Sequence, residues 1–443
     1  MKDLIIIGAG PGGYELALEA SKKGLSTVLI EASEVGGTCL NSGCIPTKAY
    51  YKTASLLKEL KQLNNYGITG EYKFDFKDNV FRKNNIVTNL VQGIKFLLKK
   101  NNVELVYGKA KLISKNQVEV NHQMYQANYI VIATGSRAVN LPLPGFEMDG
   151  VLSSKEILEL NEIPKKLVII GAGVVGIEFA SIFNAFGSEI EVIETQDRIL
   201  PTLDKEISKR LFQYLKGLGI KFHLKSAVTR IESKGNLKVS YLNKEEEETI
   251  NCDKVLVSVG RKPNIEDLGL DDLKIDYDKK GIKVNQFFQT NIENIYAIGD
   301  VTGQMMLAHS ATYSGYHVLK HILVEESQID FSILPACVFT FPEVATVGLT
   351  EEQCSEFDYQ VQKYYFKANG KAQTINETDG FIKIISVDDY IKGVHILGPQ
   401  ASDIIHEAVV LMNKKVSITE VNDFIHAHPT LSETFSNALR ENH

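Results

Sequence analysis

The amino-acid sequence predicts an α/β protein with two open, mostly parallel sheets flanked by helices, and a separate α+β domain at the C-terminal end. An apolar strand from Lys2 to Ile7 leads into a glycine-rich turn and a helical pattern, and the same order recurs from Val168. The two segments match at a constant offset of 163 residues, which takes Gly8 to Gly171. From about Phe331 onward, short strands alternate with helices in a different pattern. A chain of 443 residues is long enough for several such domains.

The composition argues against several classes of function. The chain is 44% hydrophobic and 23% charged with a net charge of -7, which disfavours nucleic acid or an anionic membrane surface as the main partner. The apolar runs have the length of strands and the first begins almost at the N-terminal Met, so we expect a cytoplasmic protein without a signal peptide. Five cysteines are too few and too unevenly spaced for a secreted disulfide scaffold. We expect Cys252, Cys337 and Cys354 to be small buried apolar residues, and we predict no metal site.

The first glycine-rich turn has the spacing of a dinucleotide-binding fingerprint. Gly8 allows the tight turn after the strand, Gly10 lets the backbone approach a pyrophosphate, and Gly13 lets the following helix pack on the strand. The N-terminus of that helix offers free N–H groups to the phosphates. The next strand, from Ser26 to Ile30, ends in Glu31, whose carboxylate can accept hydrogen bonds from a ribose. We therefore predict a Rossmann-like unit here.

The second repeat carries the same fingerprint. Its glycines are Gly171, Gly173 and Gly176, and its second strand ends in Glu194. A carboxylate at that position suits a free ribose 2'-hydroxyl and repels a 2'-phosphate, so the sequence favours NAD over NADP. Arg198, four residues further on, is the one residue that argues for NADP, because its side chain could swing toward a 2'-phosphate. A structural duplicate that has lost its ligand is the lesser alternative, because the glycines and the terminal carboxylate are retained.

Three further strand ends carry small or acidic residues. One apolar strand runs into Thr134 and Gly135, a second runs into Gly260, and a third delivers Asp300. Asp300 is either a turn or helix cap or a group that reaches the hydroxyl chain of a cofactor. Beside two nucleotide-binding folds, the second interpretation is favoured.

A pair of cysteines follows the first Rossmann-like repeat. Cys39 and Cys44 come after two glycines and before Lys48, and the apolar spacing that follows predicts a helix from Ala49 to Leu63. A disulfide between them would close a very small ring, which constrains the unfolded chain little and makes a poor structural staple. Such a ring is better placed to open and close, with one sulfur attacked from outside and the other leaving as a thiolate. The alternative is that the two cysteines are buried free thiols near a turn without a redox role. The cysteine pair considered without the rest of the chain would favour that alternative.

The segment from His426 to Glu433 contains a candidate base. His428 has the right chemistry for a general base near neutral pH, and Glu433 could hold its other ring nitrogen. A thiol enzyme needs such a base, because the thiolate and not the thiol attacks. The stretch from Thr430 to Glu433 also fits a helix capping box, which would explain Glu433 structurally. The spacing leaves both explanations open.

With these residues in place, the chain resembles the pyridine nucleotide-disulfide oxidoreductases over essentially its whole length. The resemblance is carried by Gly37-Thr38-Cys39 through Lys48, by the two glycine fingerprints, and by the segment from His426 to Glu433. It implies a Rossmann-like FAD-binding domain, a Rossmann-like NAD-binding domain and a C-terminal α+β dimerisation domain. We expect the FAD-binding parts at 1–145 and 263–330, the NAD-binding domain at 146–262 and the dimerisation domain at 331–443.

The resemblance also implies roles for individual residues. Around FAD it places Gly8, Gly10, Gly13, Glu31, Gly37, Thr38, Lys48, Ala110, Thr134, Gly135, Asp300, Met306, Leu307, Ala308 and His309. Around NAD it places Gly171, Gly173, Val175, Gly176, Glu178, Glu194 and Gly260, with Lys48 and Glu178 paired beside the reactive flavin nitrogen. The catalytic residues that it implies are Cys39, Cys44, Lys48, Glu178, His428 and Glu433.

The activity implied is the oxidation of protein-bound dihydrolipoamide to lipoamide with NAD+ as acceptor. The resemblance further implies a homodimer in which His428 serves the disulfide of the other subunit. The partners would be lipoyl domains of 2-oxo-acid dehydrogenase complexes or the lipoyl protein of glycine cleavage. The nearest alternative is a disulfide reductase for glutathione or a related thiol, which Glu194 disfavours. A non-enzymatic scaffolding subunit that kept the fold is an alternative from another class, and it would take up no FAD.

Overall fold

The computed structural model of the chain describes residues 1–440 and confirms the predicted α/β class. Its N-terminal part alternates strands and helices before a short antiparallel extension. The elements are β1 (Lys2–Ile7), α1 (Pro11–Lys22), β2 (Thr27–Glu31), α2 (Gly37–Ser42), α3 (Cys44–Leu60), α4 (Phe76–Lys100), β3 (Glu104–Tyr107), β4 (Ala110–Ser114), β5 (Gln117–Val120), β6 (Gln123–Ile132) and β7 (Ser136–Ala138).

The second part repeats this arrangement and adds a three-stranded antiparallel sheet. Its elements are β8 (Val151–Leu152), β9 (Lys166–Ile170), α5 (Val174–Phe186), β10 (Glu189–Ile193), α6 (Lys205–Gly217), β11 (Lys221–His223), β12 (Ser226–Lys234), β13 (Asn236–Asn243), β14 (Glu246–Cys252), β15 (Lys254–Val257) and β16 (Arg261–Pro263).

The remaining elements return to the first part and then form the C-terminal region. They are α7 (Leu270–Leu273), β17 (Tyr277–Asp278), β18 (Gly281–Ile282), β19 (Ile295–Ala297), α8 (Ala308–Ile322), β20 (Ala336–Val338), β21 (Glu343–Gly348), β22 (Gln360–Tyr365), α9 (Gly370–Thr374), β23 (Phe381–Val387), β24 (Tyr390–Gly398), α10 (Ala401–Lys414), α11 (Ile418–Val421) and α12 (Glu433–Arg440).

The two repeats fold into parallel sheets of the same order. In the first, the strands follow one another as β3-β2-β1-β6-β19, and in the second as β11-β10-β9-β15-β8. The first sheet also carries β5 and β4, which extend it from the long strand β6 in antiparallel fashion. Strands β1 and β9 are central and buried, as continuous apolar runs in parallel sheets require. Each sheet therefore opens its glycine-rich turn at the carboxyl end of its central strand, where ligands of such sheets bind.

The C-terminal region is an antiparallel sheet covered by helices. Its strands follow the order β20-β21-β24-β23-β22, with α10 against β24 and α12 against β22 and β23. Ile405 of α10 and Phe435 of α12 are fully buried in the core between the sheet and the helices. None of the helices within residues 1–440 has the combined length and apolar character needed to cross a membrane.

Candidate active site

Cys39 and Cys44 lie on two consecutive helices. Cys39 is in α2, and Cys44 is the first residue of α3. The sequence pattern predicts this helix only from Ala49, so its true start is five residues earlier. Gly43 separates the two helices, and a Cβ there would lie 2.8 Å from the carbonyl oxygen of Thr38, so only glycine allows this close packing. Cys44 consequently stands at a helix N-terminus, where free N–H groups favour a thiolate.

Cys39 and Cys44 are free cysteines in the structure, and a hydrogen bond between their side chains shifts the pKa of both. This hydrogen bond and burial raise the pKa of Cys39. The same hydrogen bond, together with the positive charge of Lys48, lowers the pKa of Cys44, while burial opposes that decrease. The two sulfurs are thus unequal, and Cys44 is the one that is stabilised as a thiolate.

Lys48 joins the first sheet unit to the second. It lies one helical turn after Cys44 in α3, and its Nζ is 2.8 Å from Oε2 and 3.0 Å from Oε1 of Glu178 in α5. Glu178 is buried, and its Oε1 also accepts a hydrogen bond of 3.0 Å from the N–H of Phe339. The Phe339 ring lies 4.5 Å from the Lys48 ammonium group. This ion pair brings together two residues that are 130 positions apart in the chain.

The first dinucleotide fingerprint forms a turn whose backbone is accessible at Gly10 and is hydrogen-bonded to the carboxylate of Glu31. Glu31 accepts hydrogen bonds from the N–H groups of Ala9 (2.7 Å) and Ser33 (2.8 Å). Burial raises the pKa of Glu31, and these N–H groups oppose the increase. A Cβ on Gly10 would meet no atom within 4 Å, so the backbone is exposed to a ligand at that point. The turn also touches the cysteine segment, because a Cβ on Gly37 would lie 2.8 Å from the Cα of Gly10.

The second fingerprint reproduces this arrangement atom by atom. Glu194 accepts hydrogen bonds from the N–H groups of Ala172 (2.7 Å) and Gln196 (2.8 Å), the residues at the same offset from Ala9 and Ser33. A Cβ on Gly173 would again meet nothing within 4 Å, and Val175 lies in the first turn of α5. The Arg198 guanidinium is bound elsewhere: Nη1 lies 3.0 Å from Oε1 of Glu352.

A substitution at Gly176, the third glycine of the second fingerprint, tests whether the helix must pack closely on the preceding turn. A Cβ on Gly176 would lie 2.0 Å from the carbonyl oxygen of Gly171, so we expect Gly176→Ala to force the helix away from the strand. This overpacking should destabilise the domain by about 1–3 kcal/mol and lower the affinity for NAD+. Thermal unfolding and NAD+ titration measure both effects. Gly217→Ala is the control, because a Cβ at that exposed helix end meets nothing within 4 Å. A normal melting temperature and a normal NAD+ affinity for Gly176→Ala would contradict the steric argument.

Asp300 lies three residues after β19, in a short 3-10 turn (Gly299–Thr302), and is bound by residues that the sequence did not single out. Its Oδ2 accepts a hydrogen bond from the Ser136 hydroxyl, and Arg261 Nε lies 3.7 Å away. Arg261 also donates to the Ser136 hydroxyl (2.7 Å) and carbonyl (2.6 Å). Oδ1 of Asp300 has no hydrogen-bond partner within residues 1–440 and remains available to a hydroxyl group. Because Arg261 directly follows Gly260, a charged residue after a strand-end glycine was the available signal.

The other predicted cofactor residues lie in the first sheet, in the loops around it and at the start of α8. Thr134 and Asn264 exchange two hydrogen bonds, of 2.7 Å and 2.9 Å, next to Gly135. Ala110 is buried at the start of β4. Met306 and Leu307 lead into α8, which begins at Ala308. His309 donates a hydrogen bond of 2.8 Å from Nε2 to the carbonyl oxygen of Pro335, and burial lowers the pKa of its ring.

His428 and Glu433 are in contact at the C-terminal end. Nδ1 of His428 lies 2.9 Å from Oε1 of Glu433, while Oε2 accepts a hydrogen bond of 2.8 Å from the Thr430 N–H. The predicted capping box is not formed, because α12 begins only at Glu433 and the Thr430 hydroxyl donates to the Ala427 carbonyl oxygen (2.8 Å). Glu433 instead connects the Thr430 backbone to the His428 ring. The His428 side chain is 78% exposed, and no hydrogen bond or ion pair within residues 1–440 connects it to Cys39 or Cys44.

The remaining cysteines are only partly as predicted. Cys252 and Cys354 are buried, which confirms the expectation for both. Cys337 is half-buried in β20, and burial raises its pKa to about 11. It therefore remains a thiol at neutral pH.

The residues present fit two dinucleotides. Each fingerprint combines an unobstructed glycine, a helix N-terminus and a carboxylate fixed at the end of the second strand. The Cys39–Cys44 pair and the Lys48–Glu178 pair lie where the two units meet. This arrangement suits the transfer of electrons between a dithiol and two cofactors.

The family models match almost the whole chain. The model described as pyridine nucleotide-disulphide oxidoreductase matches residues 2–315, and that of the dimerisation domain of the same family matches residues 334–439. The chain is 37% identical to dihydrolipoyl dehydrogenase of Bacillus subtilis, over 98% of this chain and 97% of that protein. It is 39% identical to leghemoglobin reductase of Glycine max, over 98% of this chain and 86% of that protein.

Two solved structures have the same fold as this chain. The HOCl-induced flavoprotein disulfide reductase RclA from Escherichia coli superposes with a TM-score of 0.89 at 29% identity, covering 99% of both chains. LpdA from Mycobacterium tuberculosis superposes with a TM-score of 0.94 over 100% of both chains; its identity is 23%, so it supports the fold alone.

Proposed function

The chain belongs to the pyridine nucleotide-disulphide oxidoreductase family, and on this premise we propose that it oxidises protein-bound dihydrolipoamide to lipoamide with NAD+ as acceptor. The observation that carries the proposal is the unequal cysteine pair at the start of α3, one turn before the Lys48–Glu178 ion pair. The family assignment makes the chain a flavin-dependent disulfide oxidoreductase, and the similarity to dihydrolipoyl dehydrogenases supports the choice of substrate.

FAD and NAD are the cofactors. The residues that would hold FAD are those of the first fingerprint with Glu31 and Asp300, and those that would hold NAD are the second fingerprint with Glu194. The chemistry that a bound flavin supplies is acceptance of an electron pair from the dithiol and its delivery as hydride to the nicotinamide. The proposed division of the chain is 1–145 and 263–330 for FAD, 146–262 for NAD and 331–443 for dimerisation.

The sulfur chemistry requires different roles for the two cysteines. His428 removes a proton from a dihydrolipoyl thiol, and the resulting thiolate attacks Sγ of Cys39 in the oxidised, disulfide form. The bond between Cys39 and Cys44 breaks, and Cys44 leaves as a thiolate because its pKa is lowered. Attack by the second substrate thiol on the mixed disulfide then releases lipoamide and leaves Cys39 as a thiol.

The base is proposed to come from the other subunit of a homodimer. The matched dimerisation domain supports the dimer, and His428 lies exposed on that domain with its Nδ1 held by Glu433. The other ring nitrogen, Nε2, is then free to take the proton. We propose lipoyl domains of 2-oxo-acid dehydrogenase complexes or the glycine-cleavage lipoyl protein as partners, and the cytoplasm as the location.

Lys48 is proposed to stabilise the Cys44 thiolate as well as charge on the flavin nitrogen. In Lys48→Met, the pKa of Cys44 should rise by about one unit, because an attractive positive charge is lost. The long-wavelength absorption of the two-electron-reduced enzyme requires the Cys44 thiolate. When the solution is acidified, this absorption should therefore disappear at a higher pH in Lys48→Met than in the unaltered enzyme. Lys52→Met, one turn further along α3 and exposed, is the matched control. An unchanged titration midpoint in Lys48→Met would contradict this role.

The assay that tests the proposal compares NAD+ with NADP+ in the steady-state oxidation of dihydrolipoamide. We expect a yellow, FAD-containing protein that prefers NAD+, because Glu194 repels a 2'-phosphate. Reduction of glutathione disulfide with NADPH at a higher kcat/KM would favour the glutathione-type reductase instead. A colourless protein that takes up no FAD would favour the scaffolding alternative.

A further inference from the structure

The C-terminal sheet is fixed to the second nucleotide-binding unit by a buried group of charges. Lys383 of β23 is 1% exposed, and its Nζ lies 3.0 Å from Oδ2 of Asp204, which is also 1% exposed. Asp204 caps helix α6 through the N–H of Glu206, 3.0 Å away. Lys383 also donates to Oε2 of Glu351 in the loop after β21. Because breaking a buried ion pair leaves an uncompensated charge, this connection holds the two regions in one relative position.

Glu352, the residue after Glu351, binds the Arg198 guanidinium from this fixed position. Nη1 of Arg198 lies 3.0 Å from Oε1 of Glu352, and Nη2 lies 3.5 Å from Oε2. Nη2 also donates to the carbonyl oxygen of Pro201, 2.9 Å away. The guanidinium is thus held between the Glu352 carboxylate of the C-terminal region and the Pro201 carbonyl oxygen of its own loop.

The loop that carries Arg198 is attached at both ends to the second glycine-rich turn. Glu194 accepts a hydrogen bond from the Ala172 N–H (2.7 Å), and the Leu200 N–H donates to the Ala172 carbonyl (2.9 Å). Arg198 therefore lies on a loop that starts at the ribose-binding carboxylate and returns to the phosphate-binding turn. A guanidinium released from Glu352 could bind a 2'-phosphate through two parallel hydrogen bonds.

We propose that Glu352 is a specificity-determining residue, which favours NAD over NADP by holding Arg198 away from the ribose 2' position. Glu352 does not contact the nucleotide and acts only through Arg198, so it is a positioning residue. The inference rests on the proposed function, because it assumes that the second unit binds NAD. It explains how a chain with an arginine four residues after Glu194 can still select the unphosphorylated nucleotide.

The test uses the FAD-loaded dimer and two nucleotide fragments, 5'-AMP and 2',5'-ADP, whose binding is measured by calorimetry. In Glu352→Gln, we expect the affinity for 2',5'-ADP to increase about three- to tenfold, because a charge-assisted contact to phosphate replaces an exposed ion pair. The affinity for 5'-AMP should change less than twofold. The ratio of kcat/KM for NADP+ to that for NAD+ should increase by the same factor as the 2',5'-ADP affinity.

The control variants separate this effect from a general change of charge. Glu352→Gln combined with Arg198→Met should return the 2',5'-ADP affinity to that of the unaltered protein. Glu247→Gln removes one of the two carboxylate partners of another half-buried arginine in the same unit, Arg230, and should leave the affinity unchanged. An unchanged affinity for 2',5'-ADP in Glu352→Gln, or an increase that persists without Arg198, overturns the proposal.

The binding measurements also distinguish this inference from the proposed function. A protein that binds both fragments as expected but does not oxidise dihydrolipoamide refutes the proposed substrate and leaves the role of Glu352 supported. An unaltered protein that binds 2',5'-ADP more tightly than 5'-AMP refutes both the assignment of NAD and the inference.

Discussion

Cys44→Ser is expected to lower dihydrolipoamide oxidation by at least about 10³-fold and to abolish the long-wavelength absorption of the two-electron-reduced enzyme. The reason is that Cys44 is the sulfur stabilised as a thiolate, through the hydrogen bond from Cys39 and the charge of Lys48. Its place as the first residue of α3 adds the field of the helix N-terminus. Steady-state kinetics and anaerobic reduction followed by absorption spectroscopy measure both effects.

The two cysteines should differ in this experiment. Cys39→Ser is expected to be equally inactive with dihydrolipoamide, yet to keep the long-wavelength absorption at alkaline pH, because the Cys44 thiolate remains. Ser42→Ala, in the same helix as Cys39, controls for disturbance of the segment. If the absorption persists in Cys44→Ser and disappears in Cys39→Ser, the two roles are reversed.

His428→Gln is expected to lower dihydrolipoamide turnover by about 10²–10⁴-fold, because the substrate thiol loses its general base. Flavin content should be normal, and so should the NADH-dependent reduction of an artificial one-electron acceptor, because neither involves this histidine. Glu433→Gln should have a smaller effect, since a glutamine oxygen can still accept a hydrogen bond from His428 Nδ1. Dihydrolipoamide turnover close to that of the unaltered enzyme in His428→Gln would exclude the histidine as the base.

A mixed dimer tests whether the base comes from the other subunit. One subunit carries Cys44→Ser and the other carries His428→Gln, each with its own affinity tag so that only mixed dimers are purified. If the histidine acts across the interface, one of the two sites is intact, and the mixed dimer should show about half the activity of the unaltered dimer. If it acts within its own subunit, both sites are defective and the mixed dimer is inactive.

The two fingerprints could be recognised in the sequence because their physical requirements are local. Gly13 and Gly176 are glycine because the helix returns to within contact of the turn that precedes it, where a Cβ would lie 1.8 Å or 2.0 Å from a carbonyl oxygen. Glu31 and Glu194 terminate strands that neighbour the fingerprint strands, so their distance from the glycines is fixed by the length of one strand-helix-strand unit. The match at a constant offset follows from the same geometry.

The start of α3 shows where local information was present but insufficient. Pro46 is compatible with the first turn of a helix, where its missing N–H is not needed, and this was the available signal for a start at Cys44. The apolar periodicity becomes clear only later, so the sequence predicts a start at Ala49. The consequence is chemical, because the true start places the Cys44 sulfur at the helix N-terminus.

The sequence by itself determined the fold class, the cysteine pair and the two carboxylates that end the fingerprint strands, because each of these depends on residues close together in the chain. Only the tertiary structure decided the partnerships that join distant segments. Lys48 meets Glu178, Arg261 reaches Asp300, and Arg198 is bound by Glu352. Those contacts depend on how the sheets pack against one another, and side-chain spacing along a single segment carries no record of that packing.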